Sequence, residues 1–337
     1  MGVAITALTP KKPIKLEQLA GKVLVVDAYN ILYQFLTTIR TPDGTPLRDE
    51  HGRITSHLVG LFSRTVNLLV AGARPAFIFD GPKPVLKASE IERRKARKDE
   101  AAAQYADAVE REDVDAMKKF SARTVTLTPE MVAEAKELLT ALGVPCIQAA
   151  SEAEAQAARY VREGFAYAVV SQDADCLLFG APRMIKNLSI TGRRKKPGTP
   201  IYYTVEPELI ELSEVLEANN LTQEQLITLG MLVGTDFNPG GIKGIGPKKA
   251  LKLVHENKTP AAVFAAANWD DHQPIPWQEI HELLSNMPTN KPEEIAWGRF
   301  DRGALEKLLF SRGFSKERLN VLDKLGERQQ GLGEFFG

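Results

Sequence analysis

Three apolar runs in this chain lead into aspartates. Lys22–Val26 is followed by Asp27, Ala76–Phe79 by Asp80, and Ala166–Val170 by Ser171-Gln172-Asp173-Ala174-Asp175. Three more acids share the pattern. Glu152 and Glu154 open the helix expected after a further apolar run, Val144–Ile147, and Asp236 ends the run Leu232-Val233-Gly234-Thr235. Ionised carboxylates crowded into one cleft repel each other, and their pKa values rise unless a cation is present. Oxygen-only donors suit hard ions such as Mg²⁺ or Mn²⁺. The five histidines show no His-x-x-x-His spacing and the two cysteines are not paired as ligands, so zinc is disfavoured. So many carboxylates suggest two ions about 3.5–4 Å apart, the arrangement for in-line displacement at phosphorus by water.

Each acid also has a bland reading. Asp80-Gly81 is a good turn pair, Asp27 suits a helix N-cap, and Ser151 with Glu154 has capping-box spacing. The set as a whole is poorly explained that way. Other phosphate motifs fail on inspection. A Walker A loop needs Lys-Ser/Thr after its second glycine, but Gly246 is followed by Pro247-Lys248. Gly244-x-Gly246 follows no strand, and Asp27-Ala28-Tyr29 lacks the second aspartate of a dehalogenase-type phosphatase.

The elements that must position these acids alternate. Apolar runs suited to buried strands are separated by helical patterns at Tyr29–Arg40, Ile54–Ala71 and after Thr128-Pro129, an N-cap and N1 pair. This predicts an α/β fold with a mostly parallel central sheet. In such sheets ligands sit beyond the carboxyl ends of the strands, where Asp27, Asp80 and Asp173 stand. Residues 83–123 break the pattern. They are rich in Lys, Arg, Glu and Ala with few large apolar side chains. A single helix of that length would span roughly 60 Å, or two of about 30 Å folded back. They read either as a solvated surface excursion or as a mobile arch over a substrate. The chain is expected to be helical after about Glu206, with a Gly-rich turn at Asn238–Pro247.

Composition bounds the partners. The 43 basic residues balance 43 acidic ones, which excludes a uniformly basic nucleic-acid binder but not a basic face beside an acidic pocket. With 337 residues, 44% of them hydrophobic, the chain can bury a real core. No apolar stretch is long enough to span a membrane, and no signal peptide is evident. Cys146 and Cys176 lie in apolar sequence and read as reduced core thiols of an intracellular protein.

Five ordered motifs, VVDAYNILYQFL, FIFDGPKPVLK, SEAEAQAA, SQDADCLLFG and LVGTDFNPGGIKGIGPKKA, resemble the flap structure-specific endonucleases of the XPG 5′-nuclease superfamily, the archaeal members above all. The resemblance covers nearly the whole chain. It implies a PIN-like fold with a helical arch and a C-terminal helical DNA-binding region. One nuclease domain would span 1–325, with an N-region 1–105, the arch 83–123 and an internal region 124–258 holding a helix-hairpin-helix-like motif at 238–257. It implies two Mg²⁺ ions, replaceable by Mn²⁺, held by Asp27, Asp80, Glu152, Glu154, Asp173, Asp175 and Asp236. Asp80, Glu152 and Glu154 would serve one ion, with Asp27 nearby; Asp173, Asp175 and Asp236 would serve the other. Ala153 is a departure, since relatives carry Gly between the two glutamates.

Lys87 and Arg94 match the catalytic cations, and their spacing of seven puts them on one helical face. Tyr33 matches the tyrosine that stacks on a base beside the cut. Gly244, Gly246, Lys243, Lys248 and Lys249 match the duplex-binding hairpin, where a K⁺ ion is often held by loop carbonyls. Arg312, Phe314 and Arg318 resemble a 3′-flap segment. Arg193-Arg194-Lys195-Lys196 is a basic run with no motif, either solvated or DNA-adjacent. The tail 326–337 carries Gln329, Leu332, Phe335 and Phe336 in the spacing of a box that binds the sliding clamp PCNA. Those three apolar side chains gather on one side of a helical turn. The expected substrates are 5′-flap and double-flap DNA, cut at single-strand/duplex junctions. The expected setting is Okazaki-fragment maturation and DNA repair, with 5′-3′ exonuclease activity. The expected state is an intracellular monomer, in cytoplasm or nucleoid if archaeal. The alternatives are a non-catalytic, clamp-tethered DNA-junction binder or an Mg²⁺-dependent phosphatase.

Overall fold

The computed structural model describes residues 3–111, 113, 116, 120–121, 123–190, 192–195, 202–323 and 325. Its strands are β1 (Lys12–Pro13), β2 (Val23–Asp27), β3 (Arg74–Phe79), β4 (Cys146–Gln148), β5 (Ala168–Val170), β6 (Arg183–Lys186), β7 (Gly192–Lys195), β8 (Tyr202–Val205) and β9 (Glu208–Glu211). Seven of them form one sheet in the order β1-β9-β6-β5-β2-β3-β4. The run β6-β5-β2-β3-β4 is parallel, and β9 and β1 add an antiparallel edge.

Both faces of the sheet are buried, which is why its strands read as continuous apolar runs. Leu24, Val26, Phe77, Phe79 and Val170 face one core with helices Ala28–Thr38, Ser56–Val70 and Pro129–Ala141. Val25, Ile78 and Val169 face the other, with helices Ala153–Arg162, Gln223–Val233 and Pro247–Asn257. The period-2 alternation of the strands thus splits one sheet between two helical layers. Thr128 and Pro129 start their helix as expected, with the Thr128 hydroxyl accepting from the Met131 amide at 3.3 Å.

The strand edge departs from the expectation of helix after Glu206. Glu208–Glu211 is a strand paired with β6, and helix begins only at Leu212. Four residues with one buried side chain, Ile210, are too few for a periodic signal. The two-residue β1 and the β7–β8 hairpin were likewise not expected. Cys176 is buried, but Cys146 is exposed on the edge strand β4, so only one of the two thiols is a core thiol; both are free.

Ala88–Glu110 is one continuous helix of 23 residues, about 35 Å long. It is less solvated than its charge suggests: Glu90, Ala101 and Ala108 are buried, as is Lys87 just before it. Past its end, Arg40 donates to Ser121 Oγ at 2.6 Å and to Gly44 O at 2.6 Å, tying this region to the loop after the first helix. Among the described residues, no helix is long and apolar enough to cross a membrane.

Candidate active site

The parallel register brings the strand ends level. Asp27 pairs with Ile78, Val26 with Val170 and Phe79 with Gln148, so the chain leaves β2, β3, β4 and β5 along one edge of the sheet. Gly81 draws two of these exits together. Its amide donates to Ser151 O at 2.7 Å, and a Cβ there would stand 2.3 Å from Ala149 O. Glu152 is the N-cap residue of the Ala153–Arg162 helix, and the Ala153 amide donates to Asp80 Oδ1 at 2.9 Å. The capping box at Ser151 is not formed; the Ser151 hydroxyl donates to Pro82 O instead. Asp27 does cap its helix, accepting from the Asn30 amide at 3.0 Å, and the same carboxylate joins the acidic cluster.

Other contacts hold the remaining acids. Asn30 Nδ2 donates to Asp173 Oδ2 at 2.9 Å, Ser171 Oγ to Glu154 Oε1 at 3.2 Å, and the Val3 amide to Asp175 Oδ1 at 2.5 Å. Asp236 sits on a tight backbone crossing. A Cβ on Gly241 would meet Leu232 O at 2.4 Å, so only glycine lets the two segments touch. Buried Asn238 ties the crossing off, accepting from Thr235 Oγ1 at 2.7 Å and donating to Met231 O at 2.7 Å.

The buried acids outnumber the cations beside them, Lys87 and Arg94. Burial, reinforced by Asp80, pushes the Asp27 carboxyl up to about 8. Burial, together with Asp236 and Asp173, pushes Asp175 up to about 7 against the pull of the Val3 amide. Burial and then Asp175, Asp27 and Asp173 push Glu154 well up. Asp80 and Glu152 are raised by burial too, the Ala153 amide opposing it at Asp80 and Lys87 at Glu152. Asp236 is the exception: burial works on it as well, but Lys87 and Arg94 outweigh it and hold the carboxyl low.

Lys87 and Arg94 lie over the acids. Lys87 Nζ is 2.5 Å from Glu152 Oε2 and 3.1 Å from Asp236 Oδ2. Arg94 Nη2 donates to both oxygens of Asp236 at 2.8 Å. Arg94 is held in turn by Glu90, which is 1% exposed and accepts from Arg93 Nε and Arg94 Nε at 2.6 Å each. Among the described residues, no three acidic, His or Cys groups close around one point as a ready ligand set. Even so, several buried, all-oxygen donors lacking counter-charge fit hard divalent cations, which would relieve the repulsion that raises them. Tyr33 lies at the surface, 37% exposed, with Lys98 Nζ 5.3 Å from its ring centre.

The remaining candidates lie elsewhere. Lys243, Lys248 and Lys249 are exposed around the start of the Pro247–Asn257 helix. Gly244 has a left-handed φ of 79°, whereas Gly246 is extended at −96° with open space around its Cβ position, so of these two only Gly244 needs to be glycine. Arg312 donates through Nε and Nη2 to Glu134 Oε1 at 2.9 and 2.7 Å, and buried His57 meets Oε2 of the same carboxylate at 3.1 Å. Phe314 is buried edge-on against Phe62 at 6.1 Å, with the Arg318 guanidinium 5.8 Å from its ring. Arg193, Arg194 and Lys195 lie on β7. Lys196, Gln329, Leu332, Phe335 and Phe336 lie outside the described residues, as does part of the 83–123 stretch. Motif reading overlooked Asn30, Glu90, Ser171, Asn238 and the Val3 amide. Asn30, Ser171 and Asn238 lie inside three of the motifs, and that position was their one local signal; Glu90 and the Val3 amide had none.

Acids gathered at the strand ends of a mostly parallel sheet and faced by a basic helix define a nuclease of the XPG type. The XPG N-terminal domain matches residues 3–101 and the XPG I-region residues 143–236. The chain is 45% identical over 350 residues to flap endonuclease 1 of Aeropyrum pernix, covering 100% of both, and 46% identical to that of Pyrococcus furiosus, covering 96% of this chain and 95% of the relative. Flap endonuclease-1 from Methanococcus jannaschii superposes with a TM-score of 0.74 at 37% identity, covering 96% of this chain and 98% of that one. The chain belongs to the flap endonuclease 1 family, whose members are structure-specific flap nucleases that use divalent metal ions.

Proposed function

We propose that this chain hydrolyses one phosphodiester of a 5′ flap at the junction with duplex DNA, using two Mg²⁺ ions that Mn²⁺ can replace. The observation that carries this reading is the set of acids at neighbouring strand ends with Lys87 and Arg94 aimed into them. Asp27, Asp80, Glu152, Glu154, Asp173, Asp175 and Asp236 would hold the ions. Bound there, the ions would supply an activated water and neutralise charge on the leaving oxygen. Lys87 and Arg94 then turn from Glu152 and Asp236 to the scissile phosphate and stabilise its transition-state charge. Tyr33 stacks on a base beside the cut. The products carry a 5′-phosphate and a 3′-hydroxyl, and the same site supports 5′-3′ exonuclease action.

The flanking duplex lies on the loop Gly244–Gly246 and Lys243, Lys248 and Lys249, where helix-terminal amides and lysines attract phosphate without reading sequence; a K⁺ ion held by loop carbonyls belongs to the same reading. Arg312, Phe314 and Arg318 serve a 3′ flap through their surface rather than their buried parts. We take residues 1–325 as one nuclease unit acting as an intracellular monomer. The tail 326–337 tethers it to PCNA through Gln329, Leu332, Phe335 and Phe336. A double-flap cleavage assay tests the reading. Cleavage must stop in EDTA, and Asp173→Asn must bind the substrate yet fail to cut it. Mg²⁺-supported cutting by Asp173→Asn at the wild-type rate refutes the assignment.

A further inference from the structure

We propose that Asn30 is a positioning residue that locks Asp27 and Asp173 into one metal-ligating geometry, an inference that rests on the ligand reading above. The helix Ala28–Thr38 begins directly after β2, and Asn30 is its third residue. Its backbone amide donates to Asp27 Oδ1 at 3.0 Å. Its side chain reaches the loop after β5, donating through Nδ2 to Asp173 Oδ2 at 2.9 Å and accepting at Oδ1 from the Gln172 amide at 3.2 Å. One residue therefore joins the first acid of the cluster, Asp27, to Asp173, which lies 143 positions along the chain from Asn30.

Only a carboxamide fits both contacts. Flipping it would set oxygen against the Asp173 carboxylate and NH₂ against the Gln172 N–H, so the orientation is determined by its neighbours. Aspartate would oppose carboxylate with carboxylate. Alanine or leucine would release the loop. The contact also takes up Asp173 Oδ2 as an acceptor, leaving Oδ1 as the oxygen free of this bond for a cation. Hydrogen bonds that orient a ligand typically change metal affinity or activity 10- to 100-fold. The backbone contact to Asp27 survives any side-chain change, so substitution isolates the Asp173 arm.

The test is Mn²⁺ binding to the full chain without DNA, read from the free-Mn²⁺ EPR signal. Asn30→Ala is expected to weaken binding about 10-fold or more, with thermal unfolding in EDTA shifted by no more than a few degrees. The activity it loses is expected to return at high Mn²⁺. In an Asp173→Ala background the same change is expected to add nothing beyond twofold, the signature of action through Asp173. Asn30→Leu, similar in volume and without polar atoms, gives the same readout if the alanine variant does not fold. Mn²⁺ affinity within twofold of wild type, or an equal loss in both backgrounds, overturns the proposal. Unchanged affinity in Asp173→Ala alone would overturn the ligand reading itself, and this proposal with it.

Discussion

Gly81→Ala perturbs the site through backbone spacing alone, without touching a catalytic group. The new Cβ would stand 2.3 Å from Ala149 O and 2.9 Å from the Ala150 carbonyl carbon and oxygen, against an ordinary contact of 3.4 Å or more. All three atoms are backbone, so β3 and β4 must separate at their ends by about 1 Å. That separation moves Asp80 away from the Ala153 amide and Glu152. A misplacement of about 1 Å costs roughly 10²-fold in rate, and overpacking costs about 1–3 kcal/mol of stability. At roughly 2.1 cal/mol/K per residue of unfolding entropy, a chain of 337 residues loses about 1.5–4 °C in Tm. The assay is single-turnover cleavage of a double-flap substrate at saturating Mg²⁺, with thermal unfolding beside it. Gly246→Ala is the control for unfolding. Its Cβ meets open space, so the Tm is expected to stay within about 1 °C. Cleavage by Gly81→Ala within threefold of wild type would show that the β3–β4 approach does not position the acids.

Lys87→Met should lower the single-turnover rate about 10²–10³-fold, the usual loss of one transition-state donor, while substrate affinity measured in Ca²⁺ changes only a few-fold. A loss under fivefold would mean that Lys87 never meets the reacting phosphate. Glu134 supports the fold rather than the chemistry. Burial works to raise its carboxyl, but His57 and Arg312 outweigh it, so the folded value lies below the ordinary 4.5. Its stabilisation is therefore complete above about pH 4.5 and is lost as pH falls through the depressed value. Glu134→Gln should cost about 1–2 kcal/mol at pH 7 by denaturant titration, with the gap closing in acid; a gap independent of pH would contradict the pairing. If the tail tethers the chain to PCNA, Phe335→Ala with Phe336→Ala should weaken that binding in a pull-down or calorimetric titration and leave cleavage of short flaps unchanged without the clamp; unchanged affinity would refute the tether.

The acids and the α/β class were legible from local sequence for one reason. Strands buried on both faces read as continuous apolar runs, and a polar residue ending such a run stands at the carboxyl edge of the sheet. Asp27, Asp80 and Asp173 announce themselves that way, and the sheet then brings them level. Pairing partners decide what short segments become. Glu208–Glu211 has too few residues for a period and is a strand because Arg183–Lys186 and Lys12–Pro13 lie on either side of it. Cys146 reads as apolar core and is exposed because β4 forms the sheet's edge. Gly81 reads as a turn residue, yet its need for glycine comes from backbone packing against Ala149. Asn30 and Glu90 matter through contacts with Asp173 and Arg94, and the Val3 amide through Asp175. Residue type and local spacing thus carried the chemistry of the donors. Their orientation, and how much charge the cleft leaves uncompensated, arises only when segments far apart along the chain are folded to within hydrogen-bonding distance.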